Sequence, residues 1–294
     1  MRKEKILKIK FLSSKNYDDP DANNGDCIII DTGSELIIYD CGCEEHAERV
    51  INYMKAHHYS KAKLILSHND ADHFNGIPYL VEAGVISEVY TLLLLKYKDA
   101  LLEKIKDRRI TRDSLARRIE EIFDNIYSLS EKVKLRDIFA ETEVCSHVKL
   151  VGPDKEYALN AVAKRIDNRQ GDSIDKETIV NAVSTQAEVE VGRKKLLLCG
   201  DSSYEAIKDK LSEYSLIQLP HHGKKEQADQ IFEQKGSFGI TYYVSDNTGN
   251  SNGGSDDLPK RGYNILNTIN GDQDCNTDSI QRINTSTHSY YRGI

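Results

Sequence analysis

The feature that most constrains this chain is the run LILSHNDADHFNG at residues 64–76. Its apolar start predicts a buried strand, and the positions that follow carry His68, Asp70, Asp72 and His73. Such a group of imidazoles and carboxylates is unfavourable in a core unless something pairs it, because unpaired buried charge is costly. Histidine and aspartate are good ligands for divalent transition metals. The run therefore predicts a metal site at a strand end, with a solvated acidic turn as the alternative.

Three further apolar runs end in the same residue types. They are LIIYDCG at 36–42, LLLCGD at 196–201 and LIQLPHHG at 216–223, which end in Asp40, Asp201 and the pair His221 and His222. One such ending is weak evidence, since strands often end in aspartate and glycine. Four of them indicate that several strand ends contribute to one site.

The order of these motifs, an aspartate, then HxDxDH, then GD and HHG, resembles the metallo-β-lactamase superfamily. The commoner superfamily motif is HxHxDH, and here Asp70 replaces the second histidine. This variant, with PHHG downstream, is similar to the hydrolase domain of the competence protein ComEC and its stand-alone relatives. The turn Asn24-Gly25-Asp26 also resembles a family turn. The resemblance implies an α/β fold, an αββα sandwich, and a cofactor of two divalent metal ions, zinc or manganese.

The resemblance also implies a ligand set. The implied ligands are His68 and Asp70 for one metal, Asp72, His73 and one histidine of the 221/222 pair for the other, and Asp201 as the bridge. His222 is the expected ligand of that pair, although the sequence leaves the choice open. Because carboxylates are harder ligands than imidazoles, this set favours Mn²⁺ without excluding Zn²⁺.

Four residues have expected roles in catalysis or substrate binding that also come from the resemblance. Asp72 and His221 are expected to act in catalysis, with His221 facing substrate oxygens. Asp40 resembles the family's buried acid, which orients the histidine loop through hydrogen bonds. Asn181 lies in an NxxS segment where other members carry a histidine ligand, and it is a candidate for substrate binding.

Apolar periodicity organises the rest of the chain. It predicts strands at 5–12, 27–31, 36–40, 178–191, 194–199 and 240–246, and helices at 44–57, 77–84, 155–168 and 203–213. We expect one metallo-β-lactamase-like domain over residues 1–294, with a helical insertion at about 91–140. A flexible polar loop is expected at about 245–257, in a polar tail that follows the last strand.

Charge is unevenly distributed. The chain has 40 basic and 47 acidic residues, a net charge of −7, which does not favour nucleic-acid binding by the whole surface. Residues 104–118, however, carry seven basic and two acidic side chains. This stretch is either a solvated helix face or a cradle for an anionic polymer. Its candidate substrate-binding residues are Lys104, Arg108, Arg109 and Arg112.

No apolar run approaches the roughly 18 residues of a membrane span, and the N-terminus does not resemble a signal peptide. We expect a cytoplasmic protein without membrane contact, whose helical insertion could bind a protein partner or a second copy. The leading hypothesis is a phosphodiesterase, a nuclease that cleaves DNA with a metal-bound hydroxide. The alternatives are a hydrolase of a small ester, lactone or phosphoester, and a metal-stabilised protein-interaction module.

Overall fold

The structure, a computed structural model, describes residues 7–19, 24–167, 174–246 and 254–276. Within these ranges the chain forms two sheets of seven strands each. The strands are β1 Lys8–Phe11, β2 Ile28–Asp31, β3 Leu36–Tyr39, β4 Ala62–Ile65, β5 Ile86–Thr91, β6 Lys134–Asp137, β7 Glu143–Cys145, β8 Val148–Gly152, β9 Gln186–Val191, β10 Lys194–Leu198, β11 Leu216–Gln218, β12 Thr241–Val244, β13 Asn264–Asn267 and β14 Gln273–Asn276.

Helices connect and cover these strands. Over the described ranges they are α1 Glu44–His57, α2 Ala71–Phe74, α3 Ile77–Glu82, α4 Lys98–Lys104, α5 Arg112–Ser128, α6 Lys155–Asp167, α7 Ile179–Ala182, α8 Tyr204–Ile207 and α9 Lys225–Lys235. Short 3-10 turns lie at Leu94–Tyr97, Leu129–Glu131, Leu211–Glu213, His221–Gly223 and Thr268–Asn270. None of the helices in the described part of the chain combines the length and the apolar character that a bilayer crossing requires.

The topology brings the predicted strand ends together. The first sheet has the order β14-β1-β2-β3-β4-β5-β6, and the second has the order β13-β12-β11-β10-β9-β8-β7. β3 and β4 are parallel neighbours, as are β10 and β11. Because parallel strands end at the same sheet edge, the residues after β3 and β4 become neighbours, and so do those after β10 and β11.

The two sheets pack face to face and helices cover their outer faces. The ring of Phe11 stacks on that of Tyr243 at 4.7 Å, and the Tyr39 hydroxyl donates to the Thr185 carbonyl at 2.6 Å. Buried residues of α1 pack on the first sheet, and those of α8 and α9 pack on the second. The predicted αββα sandwich is therefore confirmed.

The segment between β5 and β6 contains α4 and α5. The N-cap of helix α5 is Thr111, whose hydroxyl accepts the Ser114 N–H at 3.2 Å. Its backbone is non-helical at Phe123. The prediction of helix to about residue 140 is wrong at its end, because Lys134–Asp137 pair in parallel with β5 as strand β6.

The sequence prediction is also wrong in the C-terminal region. Strand β12 is not the last, since β13 pairs with β12 and β14 pairs with β1 across almost the whole chain. The sequences NILN and QDCN lack apolar alternation, so periodicity did not reveal them. Residues 247–253 of the predicted flexible loop lie outside the described residues.

Two predicted elements in the second half have different bounds. The predicted strand at 178–191 begins as helix α7, because the Thr178 hydroxyl caps the N–H of Asn181 at 3.2 Å. The predicted helix at 203–213 is α8 followed by a separate 3-10 turn. Local hydrogen bonds from threonine and serine side chains thus override the periodic pattern at both places.

Candidate metal centre

The loop after β4 is held by one buried carboxylate. Asp40, which follows β3, is fully buried and has a φ of 57°. It accepts the Ser67 N–H at 2.7 Å, the Ser67 hydroxyl at 2.6 Å and Nδ1 of His73 at 2.9 Å. Asp40 therefore fixes the start of the loop and the ring orientation of His73, so that Nε2 of His73 points away from Asp40.

Two glycines allow the same loop to approach its neighbours closely. A Cβ at Gly25 would lie 1.6 Å from the carbonyl oxygen of Asp72, and one at Gly42 would lie 2.1 Å from it. Gly25 also has a φ of 59°, in the region that glycine adopts readily. The Asp26 N–H donates to that Asp72 carbonyl at 3.0 Å. The turn at 24–26 thus positions Asp72.

His73 belongs to three groups of ligand-type atoms; one is formed with Asp26 and Asp40, and the other two contain the predicted ligands. His68, His73 and Asp201 offer atoms within 4.8 Å of one another, and so do Asp72, His73 and His222. Nε2 of His73 lies 3.3 Å from Asp201, and Nε2 of His222 lies 2.9 Å from Asp72. The structure therefore brings together five of the six predicted ligands in two adjoining, mostly buried groups.

Asp201 lies between the two groups. Its Oδ2 is 3.9 Å from Nε2 of His68 in the first group and 3.9 Å from Nε2 of His222 in the second. Its side chain is only 4% exposed. Oδ2 thus faces both groups, while Oδ1 lies 3.3 Å from Nε2 of His73.

Three buried atoms of the site make no hydrogen bond of good geometry, although two of them, on His73 and Asp201, lie 3.3 Å apart. They are Nε2 of His68, Nε2 of His73 and Oδ1 of Asp201. Buried polar atoms are nearly always satisfied, so three such atoms in one place require an explanation. All three are atoms that bind divalent metals, and they converge. The residues present therefore fit a divalent metal centre.

The electrostatics of the site agree with this explanation. Burial alone would raise the pKa of Asp201, but His73 and His222 hold it well below its usual value. Burial opposes charge on His73 and His222 as well, yet Asp201 raises the pKa of both rings well above the usual value. Because histidine binds metals as the neutral ring, metal binding here releases protons and strengthens as pH rises.

Asp70, the residue that departs from the commoner motif, lies at the border of the site. Its Oδ2 is 3.7 Å from Nε2 of His68, and its side chain is 46% exposed. It occupies the N-cap position of α2 and is not part of the two buried groups. Asp70 is therefore within reach of the first group from the solvent side.

The two histidines of the HHG motif have different surroundings. His222 is buried, and its Nδ1 donates to the Ser245 carbonyl at 2.8 Å while Nε2 faces Asp72. His221 is 17% exposed, with Nε2 at 3.7 Å from Asp201 and Nδ1 at 2.6 Å from Glu177. Geometry thus places His222 in a ligand group and His221 beside it.

The side chain of Asn181, a candidate for substrate binding, is already hydrogen-bonded within the protein. It is buried, and its side-chain oxygen accepts the Thr178 hydroxyl at 2.8 Å. That bond forms part of the cap of α7, so the amide oxygen has a structural role. The nearby polar group that does face the site is Ser184, whose hydroxyl lies 3.3 Å from Nδ1 of His68.

Acids pair with part of the basic stretch of the insertion. Lys104 pairs with Glu156, Arg109 with Asp107 at 2.8 Å, and Arg112 with Asp99 at 3.1 Å. Arg108 is exposed. Three of the four candidate substrate-binding cations are therefore already engaged, which reduces their capacity to hold phosphates.

Sequence reasoning missed several residues that shape the site. Glu177 has no local signal, because it precedes α7 and reaches His221 across 44 residues. Asn69 lies inside the recognised motif, but its partner Asn125 in α5 could not be found from the sequence. The Asn69 amide donates to the Ile122 carbonyl and to Asn125, both at 2.8 Å. The insertion therefore touches the metal loop through the kinked part of α5.

Part of the chain matches a known protein family. The model of the metallo-β-lactamase superfamily matches residues 20–144. That range includes Asp40, the whole HxDxDH loop and the insertion. With the sandwich and the ligand groups, the match supports a metal-dependent hydrolase of the metallo-β-lactamase superfamily. A search of the curated proteins found no match.

Several solved structures are similar in fold. A diphosphatase from the PhnP family is 12% identical, covers 91% of this chain and 97% of its own, and has a TM-score of 0.48. Igni18, a metallo hydrolase from the archaeon Ignicoccus hospitalis, is 10% identical, covers 92% and 98%, and has a TM-score of 0.47. Such distant likenesses say nothing about substrate, and the narrower resemblance to the ComEC domain stays a prediction.

Proposed function

We propose that this metallo-β-lactamase-like protein is a metal-dependent phosphodiesterase, with DNA as the polymeric substrate to test first. The observation that supports the reaction class is the position of Asp201 against two groups of ligand atoms, three of which are buried and make no hydrogen bond of good geometry. A pair of divalent ions held there would stabilise charge on a phosphoryl group and lower the pKa of a water molecule. No serine or cysteine nucleophile is then required.

The side chains at the border of the site suggest where a substrate enters. Asp70 and His221 are 46% and 17% exposed, whereas His68, His73 and Asp201 are almost fully buried. In diester hydrolysis, water adds to phosphorus, the P–O bond to the leaving group breaks, and the leaving oxygen gains a proton. His221, with Nε2 near Asp201 and an open side, is suited to contact a substrate oxygen.

A second candidate is the hydrolysis of a small phosphoester or ester by the same residues. The pairing of Lys104, Arg109 and Arg112 with acids favours it, because a DNA cradle requires cations that are free to pair with phosphates and displace the counterions of the DNA. The net charge of −7 favours it as well.

The test compares initial rates on plasmid DNA, an oligonucleotide, bis-p-nitrophenyl phosphate and a simple ester, each with Mn²⁺ or Zn²⁺. We expect diester cleavage that is lost in Asp72→Ala/His73→Ala together with the bound metal. Ester cleavage without diester cleavage would contradict the phosphodiesterase proposal, and metal binding without any turnover would support an interaction module.

The substrate class is decided by a variant in which Lys104, Arg108, Arg109 and Arg112 are all replaced by glutamine. If DNA is the substrate, the variant loses DNA affinity and its salt dependence flattens, by a slope of roughly 0.7–0.9 per lost phosphate contact. Turnover of bis-p-nitrophenyl phosphate should be unchanged. Unchanged DNA cleavage would favour the small substrate.

A further inference from the structure

Glu177 is a buried carboxylate beside the metal centre that belongs to neither ligand group. Its side chain is 1% exposed. It faces Nδ1 of His221 at 2.6 Å, the Gln227 amide at 2.8 Å and the Lys224 ammonium at 3.1 Å. Since a buried polar group is costly unless it is hydrogen-bonded, these donors explain how a carboxylate is accommodated in the interior.

The donors around Glu177 leave the carboxylate little freedom to move. Lys224 and Gln227 lie at the start of α9, and the Gln227 side-chain oxygen accepts the Tyr204 N–H at 2.7 Å. Gln227 therefore cannot exchange its oxygen and nitrogen without losing that bond. Oε1 of Glu177 accepts from Gln227, Oε2 accepts from His221, and Lys224 is 3.1 Å from both oxygens.

The ring of His221 is held on a strained backbone. His221 and His222 have φ values of 52° and 54°, in the left-handed region that residues other than glycine rarely adopt. Such strain persists only where the surroundings impose it, and it concentrates at functional sites. Here the contact between Nδ1 and Glu177 directs Nε2 of His221 toward Asp201, at 3.7 Å.

We propose that Glu177 is a positioning residue that acts through His221. Its carboxylate accepts the hydrogen on Nδ1, which fixes the ring orientation and leaves Nε2 facing Asp201 and the substrate side. This inference rests on the proposed function for the use that is made of His221. The orientation and the position of the hydrogen, however, can be measured without any turnover.

Glu177→Gln tests the proposal because an amide has one acceptor atom instead of two. With its oxygen toward Gln227 and Lys224, it presents NH₂ to His221, and the ring must then carry its hydrogen on Nε2. The matched control is Glu188→Gln. Glu188 is also a buried carboxylate, but it accepts the Tyr214 hydroxyl at 2.9 Å and pairs with Lys195 at 3.1 Å instead.

The first measurement is ¹⁵N NMR of the histidine rings in the zinc-loaded protein, with the His221 signals assigned by their loss in His221→Gln. We expect a protonated Nδ1 in the wild type and in Glu188→Gln, and an unprotonated Nδ1 in Glu177→Gln. Identical His221 signals in the wild type and Glu177→Gln would overturn the proposal, whether or not the protein hydrolyses diesters.

The second measurement is a double-mutant cycle on bis-p-nitrophenyl phosphate, with metal content checked in every variant. Glu177→Gln should lower kcat roughly 10- to 100-fold, as losses of ring-orienting partners do, with full metal content. In the His221→Gln background it should have no further effect, and Glu188→Gln should leave kcat unchanged. Equal losses in both backgrounds, or loss of metal in Glu177→Gln, would assign Glu177 a structural role. An inactive wild type would refute the proposed function alone.

Discussion

Asp40→Asn should weaken metal binding while the protein still folds. The carboxylate accepts three hydrogen bonds, two from Ser67 and one from Nδ1 of His73. An asparagine that keeps its oxygen toward the Ser67 N–H presents NH₂ to His73. Nδ1 of His73 must then accept, the ring hydrogen moves to Nε2, and the nitrogen aimed at the ligand group loses its lone pair.

The expected loss of metal affinity follows from the role of Asp40 as the hydrogen-bond partner of His73. Removing the group that orients a metal-binding histidine typically weakens metal binding 10- to 100-fold, which is about 1.4–2.7 kcal/mol. The exchange of charged for neutral hydrogen bonds should also lower the free energy of unfolding by roughly 2 kcal/mol. Metal affinity is measured by calorimetric titration of Zn²⁺, and stability by urea unfolding in EDTA.

Asp31→Asn is the matched control. Asp31 is buried and accepts the hydroxyls of Tyr53 and Tyr59 at 2.8 and 2.5 Å, and the Gly33 N–H at 2.7 Å. Its substitution should lower stability by a similar amount and leave Zn²⁺ affinity unchanged. If Asp40→Asn and Asp31→Asn lose stability equally and both retain full Zn²⁺ affinity, the assignment of Asp40 as the orienting group is refuted.

Three further outcomes are expected. Burial lowers the pKa of His46 to about 3, so its share of stability is present above about pH 6.5 and is lost as pH falls toward 3. Between pH 7.5 and 5.0 the wild type should therefore lose roughly 2 kcal/mol of unfolding free energy that His46→Phe does not lose, as measured by urea unfolding in EDTA. Parallel curves of stability against pH for the two proteins would contradict this. Gly25→Ala should lower the melting temperature and metal content far more than Gly84→Ala, because both glycines have positive φ but only Gly25 would meet Asp72; equal effects would refute it. Asp70→His should shift activity from Mn²⁺ toward Zn²⁺, and an unchanged metal profile would show that Asp70 does not bind metal.

The sequence alone was sufficient for the strand ends and their chemistry. Buried runs such as Leu64–Leu66 are local patterns, and the aspartates and histidines follow them directly in the sequence. The helix at 44–57 and the N-cap at Thr111 were also within reach, because periodicity and capping act over a few residues. Parallel pairing then brings the strand ends to one edge.

Only the tertiary structure decided which groups those side chains meet. Strand β14 joins β1 although the two lie at opposite ends of the described chain, and Glu177 reaches His221 across 44 residues. The acids that engage Lys104 and Arg112 likewise come from other elements. Periodicity and turn chemistry describe a residue's near neighbours in sequence. Pairing across sheets and between side chains depends on how the whole chain packs, and no local pattern contains it.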